Sequence, residues 1–223
     1  MSEPPTEPEA EAVPGFIAEE LRAELPGLRL DWVAVAAGRR ASTPAAKQRL
    51  RQLSSRYRGA SVVAMRTGPI AHAYRALFRQ IGLDPDTTRP PAEEAAVQRL
   101  LHGGFRSRDL LDDALLIALI ETGVPVWAID AEFVAAGGLG IRTTVVGERL
   151  GCGDRATPLP QRRLVVADAR CVHALLFGDV VPDHRVRSRT ERAVLFAVGA
   201  PGVPAIHSEE ALWHCLELLG LRC

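Results

Sequence analysis

A chain of 223 residues in which 27 basic residues balance 27 acidic ones has no overall field to draw it to nucleic acid or to a membrane surface. That length can bury one sizeable core, and no apolar run reaches the ~18 residues that a membrane span requires. The four cysteines (Cys152, Cys171, Cys215, Cys223) include no CxxC pair and have no histidine at ligand spacing, so neither a zinc site nor a disulfide framework is expected and a reducing cytoplasm fits.

The first residues, MSEPPTEPEAEAVP, are acidic and proline-rich, unlike the basic start and apolar middle of a signal peptide. They read as a disordered tail over residues 1–14, ahead of one domain over 15–223. Phe16 to Leu25 has helical spacing, and Leu28 to Ala36 reads as a strand entering a core. Thr43 followed by Pro44 predicts a capped helix to about Arg58. A short strand is expected over Ala60–Met65, and then a helix from about Pro69 to Ile81, closed by Gly82. Pro90-Pro91 opens a further helix that ends at Gly103-Gly104.

Leu110 to Thr122 is so apolar that its helix should be central. Strand-like pieces follow at Val124–Ile129, Gly140–Val146, Arg163–Ala167, Cys171–Phe177 and Ala193–Val198, and Ser208 is expected to cap a last helix to Leu219. Helices dominate the first half and strands the second, which predicts an α+β (mixed α/β) arrangement in one compact domain.

Candidate chemistry is sparse. His72, Arg75 and Arg79 share a helix face that is expected to be solvated. Asp113 sits on the apolar helix, where a buried carboxylate needs a partner, and Asp130 reads as a turn or cap residue. Cys152, between two glycines, is expected to be a plain loop cysteine. His173 alternates inward on a strand as a satisfied core histidine. The best basic cluster is Arg185, Arg187 and Arg189; on a strand these alternate residues share one face that suits an RNA backbone. Lys47 is the sole lysine, which fits either bidentate recognition by arginine or a codon bias.

Several short segments, taken in order, carry a resemblance. They are IGLDP (81–85), Arg89-Pro90 with Glu93, Arg99 leading to Gly103-Gly104, Asp113, Glu121-x-Gly123-x-Pro125 and Ala128-x-Asp130. VVGE (145–148), VVAD (165–168), Gly178, and Val186 with Thr190 continue the series. Over about Val62 to Val198 the chain resembles the B-three/B-four domain of the bacterial phenylalanyl-tRNA synthetase β subunit, and more closely the stand-alone proteins built from that domain. The resemblance implies that domain's α+β fold and an ancestry in hydrolysis of tyrosine misacylated onto tRNA. It implies no cofactor, no metal and no catalytic nucleophile.

Carried over position by position, the family's neighbouring Thr and Asn fall at Leu115 and Leu116, its His at Trp127 and its Glu at Phe196, while its glycine is kept at Gly178. Four polar positions have become apolar, so the inherited editing site is expected to be degenerate. What remains is a module that binds the acceptor end of tRNA or aminoacyl-tRNA, through Arg185, Arg187 and Arg189. The alternatives are a small amino-acid-like ligand in a remade apolar pocket, trans-editing of misacylated tRNA, and a protein-interaction domain tethered by the acidic tail.

Overall fold

The computed structural model describes residues 11–153 and 155–221, without the side chains of 61–63. The first ten residues of the expected tail therefore lie outside the described residues. Val13–Pro14, at the tail's end, are ordered: they form strand β1, paired with Asp31 and Trp32. Phe16–Ile17 form a second short strand, β2, so helix α1 is confined to Glu19–Glu24 and does not start at Phe16. Between the two strands sits Gly15, where a Cβ would lie 2.5 Å from the carbonyl oxygen of Leu139. Only glycine lets the chain step from one sheet to the other there.

Strand β3 (Arg29–Val35) follows, and then three successive helices, α2 (Pro44–Arg56), α3 (Gly59–Met65) and α4 (Pro69–Gln80). The Thr43 hydroxyl accepts from the Ala46 N–H, and Pro44 fills the first turn. Ala46, Leu50 and Leu53 then face the core at helical spacing. The strand expected over Ala60–Met65 is instead helical. This segment lies between helices and packs against a helix, α5 (Pro91–His102), and among the described residues no strand pairs with it.

Helix α6 (Leu110–Thr122) is capped by Asp109 and stopped by left-handed Gly123. It is apolar nearly all round because it is the central helix, lying against α2, α5 and a C-terminal helix, α7 (Ala205–Leu219). Helix α7 starts before Ser208, so that serine does not cap it; Ser208 is buried within the helix. The physical reason is Pro204, which ends the preceding loop and starts the helix four residues earlier than a hydroxyl cap at Ser208 predicts.

The remaining strands are β4 (Val126–Asp130), β5 (Gly140–Thr143), β6 (Arg149–Leu150), β7 (Thr157–Pro158), β8 (Leu164–Ala167), β9 (Val172–Leu175) and β10 (Ala193–Gly199). They complete two sheets. The first has the order β1-β3-β10-β4 and is antiparallel throughout. Its central strand β10 is buried at every position, which explains its unbroken apolar run. The second has the order β2-β5-β8-β9-β6-β7, with β2/β5 and β6/β9 parallel and the other pairs antiparallel. The fold is mixed α+β, with helices early and strands late, as composition and periodicity predict. No helix of the described residues is long and apolar enough to cross a membrane.

Candidate functional site

Where β9 leaves the second sheet, the chain turns sharply through Phe177 and Gly178. Phe177 has φ 63°, in the left-handed region that an aromatic residue rarely adopts. Its ring is held against Phe78 (centroids 4.9 Å apart), Tyr74 (5.9 Å) and Trp127 (6.2 Å). This packing offsets the backbone cost of about 1–3 kcal/mol. Tyr74 is itself fixed by its hydroxyl, which donates to the Val198 carbonyl at 2.6 Å.

Phe177 and Gly178 form one wall of a cleft of about 860 Å³. Leu21 of α1 with Leu25 just after it, Phe78 of α4, and Leu175 at the end of β9 with Leu176 just after it give it an apolar floor. Its rim is polar: Arg89 after α4, and Arg162 and Arg163 before β8, face Glu20 and Glu24 of α1. Arg162, with φ 60°, shares with Phe177 the left-handed backbone, so among the described residues both non-glycine positions of this kind line the cleft. Strain concentrated at one concave site is the usual mark of a binding wall. The Glu20 carboxylate accepts from Thr143 Oγ1 at 3.2 Å, and Arg89 is paired with Glu94 at 3.2 Å; Arg162 and Arg163 are exposed.

Beside the cleft, Glu148 receives a two-pronged hydrogen bond from Arg142, one arm at 2.8 Å, and an N–H bond from Val145 at 3.0 Å. The Arg142 guanidinium holds the Glu148 carboxyl below its ordinary range.

Chemically, the cleft can take an apolar or aromatic group on its floor and an anion at the Arg162–Arg163 rim. The described residues that line it include no cysteine, serine or histidine.

The residues picked out by resemblance are divided by the fold. Gly178 lines the cleft. Phe196 is 1 % exposed and pairs with Trp127 across β10 and β4, the two rings stacked with centroids 5.4 Å apart. Leu115 and Leu116 are partly buried on α6 and pack against the core. None of these last four lines the cleft, although Trp127 backs it through Phe177. Phe177, Arg162 and Arg163 are the residues that sequence reasoning passed over. The available signal was an arginine pair just before a strand.

Arg185, Arg187 and Arg189 are exposed, but they are not on a strand. Pro182–His184 is a single 3-10 turn, and Thr190 Oγ1 accepts from the Arg187 N–H, folding the segment into a turn with no ladder partner. Arg185 pairs with Asp179 at 2.9 Å and Arg187 with Asp183 at 3.1 Å. Arg75 departs further from expectation: its face is not solvated, and its side chain is 10 % exposed, paired with Glu93 at 3.0 Å and Asp86 at 2.6 Å. His72 is exposed as expected. Asp113 is buried and accepts from Ser42, Ser107 and the Arg108 N–H; Asp130 caps a turn through the Glu132 N–H and accepts from Thr190.

The cysteines require a correction. Cys152 and Cys171 are joined by a disulfide, against the expectation of none. They are 19 residues apart, and the bridge between Gly151 and Val172 beside the β6/β9 pair brings them together, which a local spacing motif cannot register. Beside them, a ring nitrogen of His184 lies within 4.8 Å of both sulfurs, and Asp168, Cys171 and His173 form a second group of the same tightness. These are the residues able to hold a metal ion. The buried Cys215 thiol is pushed up by burial and is inert.

Compared with protein-family models and with curated proteins, the chain matches none.

Proposed function

We propose that this protein binds the acceptor end of tRNA or aminoacyl-tRNA, with the terminal nucleotide or its aminoacyl group in the cleft beside Phe177 and Gly178. The observation that carries the reading is the cleft itself: an apolar and aromatic floor under a rim of Arg89, Arg162 and Arg163. Bases and aromatic side chains stack on such floors, and arginine forks grip phosphates. Gly178, the position kept from the resembling family, stands in the same wall.

Arg185, Arg187 and Arg189 follow that wall within the next eleven residues and supply the approach for the RNA backbone. Their pairing with Asp179 and Asp183 makes them weaker contributors than Arg162 and Arg163. Hydrolysis of a misacylated ester is not part of the reading. The family's polar positions fall here at Leu115, Leu116, Trp127 and Phe196, and no cysteine, serine or histidine is among the described residues that line the cleft.

The test is a salt series of tRNA binding, run with deacylated and aminoacylated tRNA. The logarithm of the affinity should fall linearly with the logarithm of salt, because phosphate contacts release counterions. Replacing Arg162 and Arg163 by alanine should reduce the slope by ~1 for each phosphate that is no longer gripped. A deacylation time course should show no acceleration over buffer. Binding without salt dependence, or a slope unchanged by the double replacement, overturns the reading. In that case, uptake of a free amino acid by the cleft would support a small-molecule binder instead.

A further inference from the structure

At the start of β9, at the other end from the cleft wall, five side chains meet that RNA binding does not use. Cys152 follows β6, Asp168 follows β8, Cys171 precedes β9, His173 lies in it, and His184 ends the 3-10 turn. The two imidazoles are 0 % and 1 % exposed, and Cys171 and Asp168 are buried with them. His173 Nδ1 points at His184 Nδ1 from 3.0 Å. On its other side, His173 Nε2 lies 3.2 Å from Asp168 Oδ2, yet out of line for a hydrogen bond, so a buried ring nitrogen is left unsatisfied.

Asp168 is fixed in place by the backbone N–H groups of Ala135, Arg170 and Cys171, at 2.7–2.8 Å. The negative charge of that carboxylate, 3.2 Å from Nε2, favours the ring proton on that nitrogen even without an aligned hydrogen bond and leaves Nδ1 as a lone pair. That lone pair is directed at a second buried imidazole nitrogen, and the two cysteine sulfurs lie within 4.8 Å of a His184 nitrogen. A His184 nitrogen lies within 4.8 Å of both sulfurs and a His173 nitrogen within 4.8 Å of the Cys171 sulfur, and these two nitrogens and two sulfurs, backed by a fixed carboxylate, are the donor types and outer layer of a tetrahedral divalent metal site.

We propose that reduction of the Cys152–Cys171 disulfide converts this cluster into a zinc site, with Cys152, Cys171, His184 and His173 as ligands and Asp168 as the positioning residue behind His173. In the first step a dithiol reductant gives two electrons and two protons to the disulfide. The S–S bond breaks, two thiols form, and the reductant leaves as its own disulfide. In the second step the metal ion binds both sulfurs as thiolates, and two protons pass to solvent. Metal–sulfur bonds of ~2.3 Å and metal–nitrogen bonds of ~2.0–2.1 Å place tetrahedral ligands about 3.3–3.8 Å apart. Reduction frees the two sulfurs to move apart to this spacing.

With four protein ligands the site is closed and structural. It ties the loop after β6 to β9 and to the turn at His184. The segment from Gly178 to Thr190, which carries Arg185, Arg187 and Arg189, is then anchored beside the cleft.

The experiment uses the full chain carrying Cys223→Ser, reduced with a phosphine, freed of metal and titrated with Co²⁺. One cobalt per chain is expected, with tetrahedral d–d bands and thiolate-to-cobalt charge-transfer absorption, all displaced by one equivalent of Zn²⁺. The oxidised chain should show none of these bands. Cys152→Ser, which replaces an exposed side chain, should remove the charge-transfer absorption or halve it with at least a tenfold loss of affinity, and Cys215→Ser should change neither. Asp168→Asn should weaken binding by ~10–100-fold while keeping the tetrahedral spectrum. Absence of charge-transfer absorption in the reduced parent chain overturns the proposal. So does a Cys152→Ser chain that binds as the parent does, or an oxidised chain that binds equally well.

Discussion

Trp127 lies nearly parallel to Phe196, the two rings inclined by 14° with centroids 5.4 Å apart. The two residues face each other on neighbouring strands β10 and β4 as an aromatic pair of the core. Replacing Phe196 by alanine is expected to cost about 3–5 kcal/mol in urea unfolding, as for other buried phenylalanines. A milder change, Trp127→Phe, should cost much less. A Phe196→Ala chain of parental stability would show that these rings border a cavity after all.

The buried Arg75–Glu93 pair leads to a second expectation. Arg75 is 10 % exposed and Glu93 4 %, and Arg66 reaches the same carboxylate at 3.1 Å. Removing one partner of a buried ion pair costs about 3–5 kcal/mol. Arg75→Met should fall at or just below that range, because Arg66 still compensates Glu93. The double change Arg75→Met with Glu93→Leu should recover most of the loss. A cost under 0.5 kcal/mol, typical of an exposed surface position, would return Arg75 to the solvated face that helical periodicity predicts.

The third expectation concerns acid. The hydrogen bond from Arg142 depresses the Glu148 pKa in the folded protein below the unfolded value of ~4.3. A depressed folded pKa gives stabilisation that is complete above the unfolded value and is lost as pH falls through the folded one. Wild type should therefore exceed Glu148→Gln by about 1.5 kcal/mol at pH 7, the lower end for a charged hydrogen bond because Arg142 is 25 % exposed. That difference should hold down to pH ~5 and shrink below pH ~4.3. Melting temperatures of both chains across this range check it, and a gap that widens in acid would refute the assignment.

Sequence alone determined the helices with strong boundary chemistry and the strands with long apolar runs. Thr43-Pro44 before α2, Gly103 and Gly123 as left-handed stops, and the continuous apolar stretch of β10 act within a few residues of chain. Their physics is local, so they are legible without the fold, and the α+β arrangement follows from their order. The helix α3, the loop at Arg185–Arg189 and the strand at Val13–Pro14 were decided by what packs or pairs beside them.

The sites belong wholly to the tertiary structure. Arg162 and Phe78 are 84 residues apart and meet only across the cleft. Cys152 reaches Cys171 and His184 only because β6 pairs with β9 and the 3-10 turn folds back over it. Burial and charge pairing are properties of neighbours distant in sequence, and that is why Arg75 reads as solvated in the sequence and stands buried against Glu93 in the fold.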